Sequence, residues 1–455
     1  LRKFINIEEK TRMTSDIVPA ELQQKINRYK DEIEQKHGMS VEQLHAERKK
    51  RLYDTVLLKT PDRIPVGIQT GVFACRNAGI PLSAEYYDQF AYWEACIDTV
   101  VEFDPDISGM MLMGHSGVIN ELLDTRTQRW PGGNLPDDVP YQFVEGEYMK
   151  QEEYDLFLSD PSDFVIRYFL PRLYGSLEPL EKLPPIRNLI RGGFFGGMLG
   201  ILASPEFRAL AEKVIKANAE QEKTMKMMMS IGAIDTQLGY PSQFGFGRGT
   251  GGAPFDVISD MLRGMRGAML DMYRCPDKLL EVCETLQEWQ FAEAAPAVPD
   301  VDGNPPRLFM ALHRGSDGFM SKKQFETFYW PGLKKAIIKA VELGYIVAPV
   351  FEGIWDDRLE YLLELPKGKV TFWTENTDIY RAKEVLGDHM CIQGGVPPTL
   401  LQAGSTQDVE EYCKKLIKDI GKNGGLIVFP NSAMDYAKPE NVRVMVETVK
   451  KYGGY

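Results

Sequence analysis

The chain has 455 residues, 44% apolar and 26% charged, with a formal charge of −12; this suits a globular protein with a large core and excludes extensive disorder. Acidic and basic residues are interspersed, which argues against nucleic acid and membrane surfaces as partners, because both demand clustered Lys and Arg. No apolar run approaches bilayer length and Leu1 to Lys10 are mixed and polar, so a cytoplasmic protein is expected.

Residues 1–58 read as a helical extension. Leu22, Ile26, Tyr29 and Ile33 recur at spacings of three and four, one stripe of an amphipathic helix. Gly38 ends it, and Ser40 with Gln43 marks a capping box for a second helix with Leu44, Leu52 and Val56 on its apolar face. A clasp on the protein's own core is the favoured reading; a partner or a second copy, as in a homodimer, is the other.

Beyond Pro61 short apolar runs alternate with helical patterns, the signature of an α/β protein. The expected strands are Arg63–Gln69, Ile107–Met113, Ala233–Leu238, Arg307–Leu312, Tyr345–Phe351, Val370–Trp373, His389–Ile392 and Leu426–Phe429. Eight runs suit a (β/α)8 TIM-like barrel over residues 59–455, with irregular insertions near 120–185 and 244–254. Six cysteines without short regular spacing read as reduced thiols.

The ordered strings Phe351-Glu352-Gly353, Gln393-Gly394-Gly395-Val396-Pro397-Pro398, Gly404-Ser405-Thr406-Gln407-Asp408, Gly424-Gly425-Leu426-Ile427-Val428 and Pro439-Glu440-Asn441 resemble the uroporphyrinogen decarboxylase superfamily. Pro61-Asp62-Arg63-Ile64-Pro65-Val66, Leu262-Arg263-Gly264-Met265 and Gly318-Phe319-Met320-Ser321 extend the likeness upstream. The resemblance implies one of two chemistries: a metal-free decarboxylase, or a methyltransferase that passes methyl groups to a corrinoid. The arginine-bearing decarboxylase signature is absent at Gly67-Ile68-Gln69-Thr70-Gly71. The style of the chain is closer to the methyltransferase components of O-demethylases.

In such a barrel the reacting groups follow the strands. Glu352, His313 and Glu375 are therefore the expected catalytic residues, with Tyr240, Phe351, Trp355, Asn431 and His115 expected to hold substrate. Phe244, Phe246 and Trp373 add to an aromatic mouth suited to a flat methyl donor. The resemblance further implies zinc, for which Glu352, Cys391 and His313 are the expected ligands, joined by Glu375 as a fourth candidate. Each has a bland alternative: His313 as a backbone hydrogen-bonder, Cys391 as a buried thiol. No Asp-x-His-x-x-Gly pattern occurs, so the corrinoid is expected on a partner protein. A decarboxylase and a non-catalytic ligand-binding barrel are the competing readings.

Overall fold

In the computed structural model, residues 20–109, 116–192, 194–245 and 249–455 are described, the side chains of 196, 229 and 231–233 apart. Two helices open the chain, α1 (Ala20–His37) and α2 (Val41–Val56), the second started by the Ser40–Gln43 capping box. Charge fastens α2 to the body. Buried Arg48 pairs with Asp104, and Arg51 reaches Asp106 at 2.8 Å and Asp62 at 2.6 Å. Asp104 also receives Lys450 at 2.8 Å, His37 at 3.0 Å and the Tyr240 hydroxyl at 3.2 Å. Burial opposes its ionisation, but these partners hold Asp104 well below the usual carboxylate range.

β1 (Gly67–Gln69) and β2 (Ile107–Gly109) pair in parallel. β3 (Arg307–Leu312), β4 (Ile346–Phe351), β5 (Thr371–Thr374), β6 (Cys391–Val396) and β7 (Leu426–Pro430) form a five-stranded parallel sheet in chain order. Helices join its successive strands, including Trp330–Glu342, Ile379–Leu386 and Thr406–Ile420, because parallel neighbours require a crossover. The protein is thus α/β. Single bridges connect the two sheets: Val66 pairs with Val428, Ser108 with Ser242, and Gly245 donates to the Arg307 carbonyl at 2.9 Å.

Seven of the eight expected runs contain a strand. The exception is Ala233–Leu238, which falls at the end of the helix Pro205–Gln237. Ser204 caps that helix ahead of Pro205, and Met227, Ile234 and Leu238 are its buried stripe; a short apolar run fits strand and helix alike. Residues 241–245 take the expected place beside β2 and β3. Between 120 and 185 lies an antiparallel pair, Gln128–Arg129 with Gln142–Phe143, among short helical turns.

Leu52 and Val56 of α2 pack with Ile107, Ile346, Cys391 and Ile427, residues at the amino ends of the parallel strands. This places α2 at one end of the sheet and leaves the carboxyl ends for chemistry. All six cysteines are free thiols. Among the described residues no helix is long and apolar enough to cross a membrane.

Candidate active site

β3, β4 and β5 are adjacent, so the residues that follow them stand side by side at the carboxyl end of the sheet, where α/β proteins place ligands. His313 follows β3, Glu352 follows β4 and Glu375 follows β5. The His313 Nε2 lies 3.5 Å from Glu352 Oε1, and Glu375 Oε2 accepts the Gly353 N–H at 2.7 Å. The three expected catalytic residues are brought together.

Two carboxylates hold this group from behind. The turn Pro254–Val257 runs into a π-helical turn, Ile258–Leu262, a distortion frequent at functional sites. From it Asp260 Oδ2 meets His313 Nδ1 at 2.5 Å, while Asp260 Oδ1 takes Arg314 at 2.8 Å. Asp256, almost fully buried, accepts the backbone N–H groups of His313 and Arg314 at 3.1 and 3.0 Å and the Tyr329 hydroxyl at 2.7 Å. Tyr329 itself comes from a second π-helical turn, Phe325–Tyr329.

The hydrogen bond to Asp260, opposed by burial and aided by the charge of Glu352, pushes His313 up to about 9. The imidazole is therefore charged at neutral pH, a donor at both nitrogens. Burial works against ionised Asp260, yet His313 and Arg314 hold it below its ordinary value. Burial raises Glu352, with Glu375 and Asp260 adding to the effect against His313. Burial also pushes Asp256 up to about 7. Glu352 keeps 43% of its side chain exposed and His313 36%, so both groups are open to a ligand.

Other expectations need correction. Cys391 is the first residue of β6, at the amino end, and is wholly buried with its thiol pushed up to about 12. It therefore lies at the opposite end of the sheet from Glu352 and His313. Tyr240 is also fully buried; its hydroxyl is spent on Asp104 and its ring lies 4.4 Å from the Arg48 guanidinium. Phe351 and Trp355 are core residues, edge to face at 4.8 Å. None of the three presents a surface to substrate. Asn431 stands at the carboxyl end of β7, but its oxygen is engaged by the Gly395 N–H at 2.5 Å, tying β7 to β6. His115 and Phe246 lie outside the described residues.

The donors do not fit the expected zinc site. With Cys391 removed, His313 spends Nδ1 on Asp260, and among the described residues no group of three or more His, Cys, Asp or Glu is arranged to hold a metal ion. Arg263 is sequestered by Asp271 at 2.5 Å and by Glu147. Beside Arg314, whose guanidinium lies 3.9 Å from Glu145, opens a cleft of about 680 Å³ lined by Glu145, Lys150, Arg266 and Arg274.

Asp256 and Asp260 are the residues that sequence reading missed. Their signal was an acidic pair four apart in the otherwise apolar stretch Phe255 to Leu262, a spacing that aligns two carboxylates on one helical face.

Residues 248–452 match the family model of uroporphyrinogen decarboxylase (URO-D). A uroporphyrinogen decarboxylase from Chlorobium phaeovibrioides is 30% identical over 78 residues, 16% of this chain and 22% of that protein. The chain thus spans under a quarter of that relative's length. Among solved structures, a methyltransferase from Methanosarcina mazei superposes with a TM-score of 0.56 at 15% identity, over 89% of this chain and 98% of that one. This last likeness is one of fold.

Proposed function

We propose that the chain, whose residues 248–452 match the uroporphyrinogen decarboxylase family model, moves a methyl group from an O-methyl compound to the cobalt of a separate corrinoid protein. The two parallel sheets and the bridges between them are read as one (β/α)8 barrel, with residues 241–245 in the third strand position. The site then lies at the mouth that this fold uses for catalysis. The fold likeness to a methyltransferase supports the same reading.

The observation that carries it is His313, held charged between Asp260 at 2.5 Å and Glu352 at 3.5 Å. An ether is a poor methyl donor because its leaving oxygen departs as an anion. As the methyl carbon–oxygen bond breaks, the electron pair stays on oxygen, and the His313 Nε2–H supplies the proton there. Asp260 holds the ring by Nδ1 and keeps it charged, and Glu352 orients the opposite edge. A quaternary amine leaves neutral and needs no such proton, which favours O-methyl over N-methyl donors. The corrinoid, when docked, supplies the nucleophile that accepts the methyl group.

The decarboxylase reading asks for cations at the site itself to grip a polycarboxylate. Here Arg314 is paired with Asp260, and Asp260, Glu352 and Glu375 give the mouth an excess of negative charge, while Lys150, Arg266 and Arg274 line the neighbouring cleft. The test is to incubate the purified protein with a methoxylated arene and a reduced cobalamin and to follow the free phenol by chromatography. Phenol that depends on His313 supports the proposal. Carbon dioxide released from a carboxylated pyrrole, with no demethylation, sinks it.

A further inference from the structure

A barrel interior is ordinarily packed with branched apolar side chains, yet here a guanidinium occupies it. Arg307, the first residue of β3, is 1% exposed. Its Nη2 donates to Gln393 Oε1 at 2.9 Å. Gln393 belongs to β6, with β4 and β5 intervening, so the bond crosses the concave side of the sheet. Nη1 donates to the Gln243 carbonyl at 3.1 Å. Alternation puts Phe309 on the same face as Arg307, and Phe309 is 40% exposed, so this face of the sheet reaches solvent two residues beyond the arginine.

Among the described residues no carboxylate pairs with Arg307; its contacts are the two oxygens just named. The titratable groups that face it, Cys391 and Tyr53, are a thiol and a phenol, both raised by burial and neutral near pH 7. Arginine keeps its proton in proteins, so a full positive charge is buried without a counter-charge, a costly arrangement.

What surrounds it is a set of unused donors. Arg307 Nε, Gln243 Nε2, Gln393 Nε2 and Trp373 Nε1 are buried and have no partner among the described residues. All four residues are at most 2% exposed. Gln393 cannot be turned round to relieve this, because its oxygen is the acceptor for Arg307. Trp373 is the register partner of Gln393 across β5 and β6, so both side chains leave the same face. The rings of Phe244, Phe309 and Phe429 pack around Trp373 and the guanidinium: Phe244 is 6.2 Å from Trp373 and 5.0 Å from Phe309, and Phe429 is 5.2 Å from Trp373. A water satisfies donors and acceptors together; three N–H groups beside one cation, ringed by aromatic edges, select an anion instead.

We propose that this cluster of buried donors binds one small monovalent anion of halide size, held by Arg307 with the N–H groups of Gln243, Gln393 and Trp373. Its role is to neutralise the floor beneath the mouth, and it stands or falls independently of the methyl-transfer reading.

The test uses bromide. Crystals of the full chain grown in sodium bromide should give an anomalous peak among these four residues. In solution, the melting temperature should rise saturably with bromide or chloride over a gluconate buffer of equal ionic strength. Gln393→Leu should weaken half-saturation at least tenfold, and Trp373→Phe several-fold. Arg307→Met, if it folds, should melt at the same temperature in bromide and gluconate. An interior filled by water only, seen as no anomalous peak and a melting temperature indifferent to the halide, overturns the proposal. So does a halide response that survives in Gln393→Leu unchanged.

Discussion

Asp260, on the π-helical turn Ile258–Leu262, meets His313, on the loop after β3, with Oδ2 2.5 Å from Nδ1. Neither element alone defines a proton donor. The turn contributes the carboxylate that fixes the ring's tautomer and charge, and the strand end contributes the ring and the open Nε2 edge. Asp256, reached from the same helical stretch, pins the backbone of the loop that carries the ring.

His313→Gln keeps a similar shape but has no proton to give. Turnover of an O-methyl donor is expected to fall by roughly 10²–10⁴-fold, the usual worth of a positioned acid, with little change in KM. Steady-state release of the free phenol measures it; a variant retaining most of its turnover would show that His313 is not the donor.

The same proton sets a pH limb. His313 is raised to about 9 in the folded protein, above an unfolded value of about 6.5. Its contribution to stability is therefore complete below the unfolded value and lost as pH rises through about 9. Turnover should fall over the same limb. Asp260→Asn should move the limb down toward about 6.5, and NMR titration of the ring reads the shift with no methyl donor present. A limb that stays in place would remove Asp260 from its positioning role.

Cys391→Ala should leave turnover unchanged, and elemental analysis should find the same zinc content, whatever it is, in variant and parent. The expected cost is a stability loss of about 1 kcal/mol, typical of a core substitution. Zinc lost from the variant would contradict the burial of Cys391 at the amino end of β6.

Asp104→Asn leaves Arg48 buried without its partner and weakens the links to His37 and Lys450. Breaking a buried pair of this kind costs about 3–5 kcal/mol. Because the folded carboxyl is held below its ordinary value of 3.8, the stabilisation is present above that value and lost as pH falls through the folded one. Urea denaturation should show the full difference at pH 7 and a shrinking one in strong acid; equal midpoints at pH 7 would mean that α2 is fastened by other contacts.

The strands were legible because apolar runs bounded by turns recur through the second half of the chain, and Arg307–Leu312 matches its expected bounds residue for residue. Ala233–Leu238 was not, since the buried stripe of a long capped helix has the same composition as a strand. Within the site, Glu352, His313 and Glu375 followed from strand ends alone. Cys391 failed because the strand's end was read four residues early, at Ile392 and not Val396, which puts a first residue close to where a last one belongs. Asp256 and Asp260 escaped because they lie on a helical stretch and not at the strand ends where site residues were sought.

Leu52 and Val56 touch Ile427 although almost the whole chain separates them. A ribosome releases α2 well before β7, so the apolar face of α2 must wait, uncovered, until its seat is made. Contacts between such distant segments form slowly, and waiting apolar surface is what aggregates. The helix that closes one end of the sheet is thus also the segment most exposed to misassembly while the protein is being made.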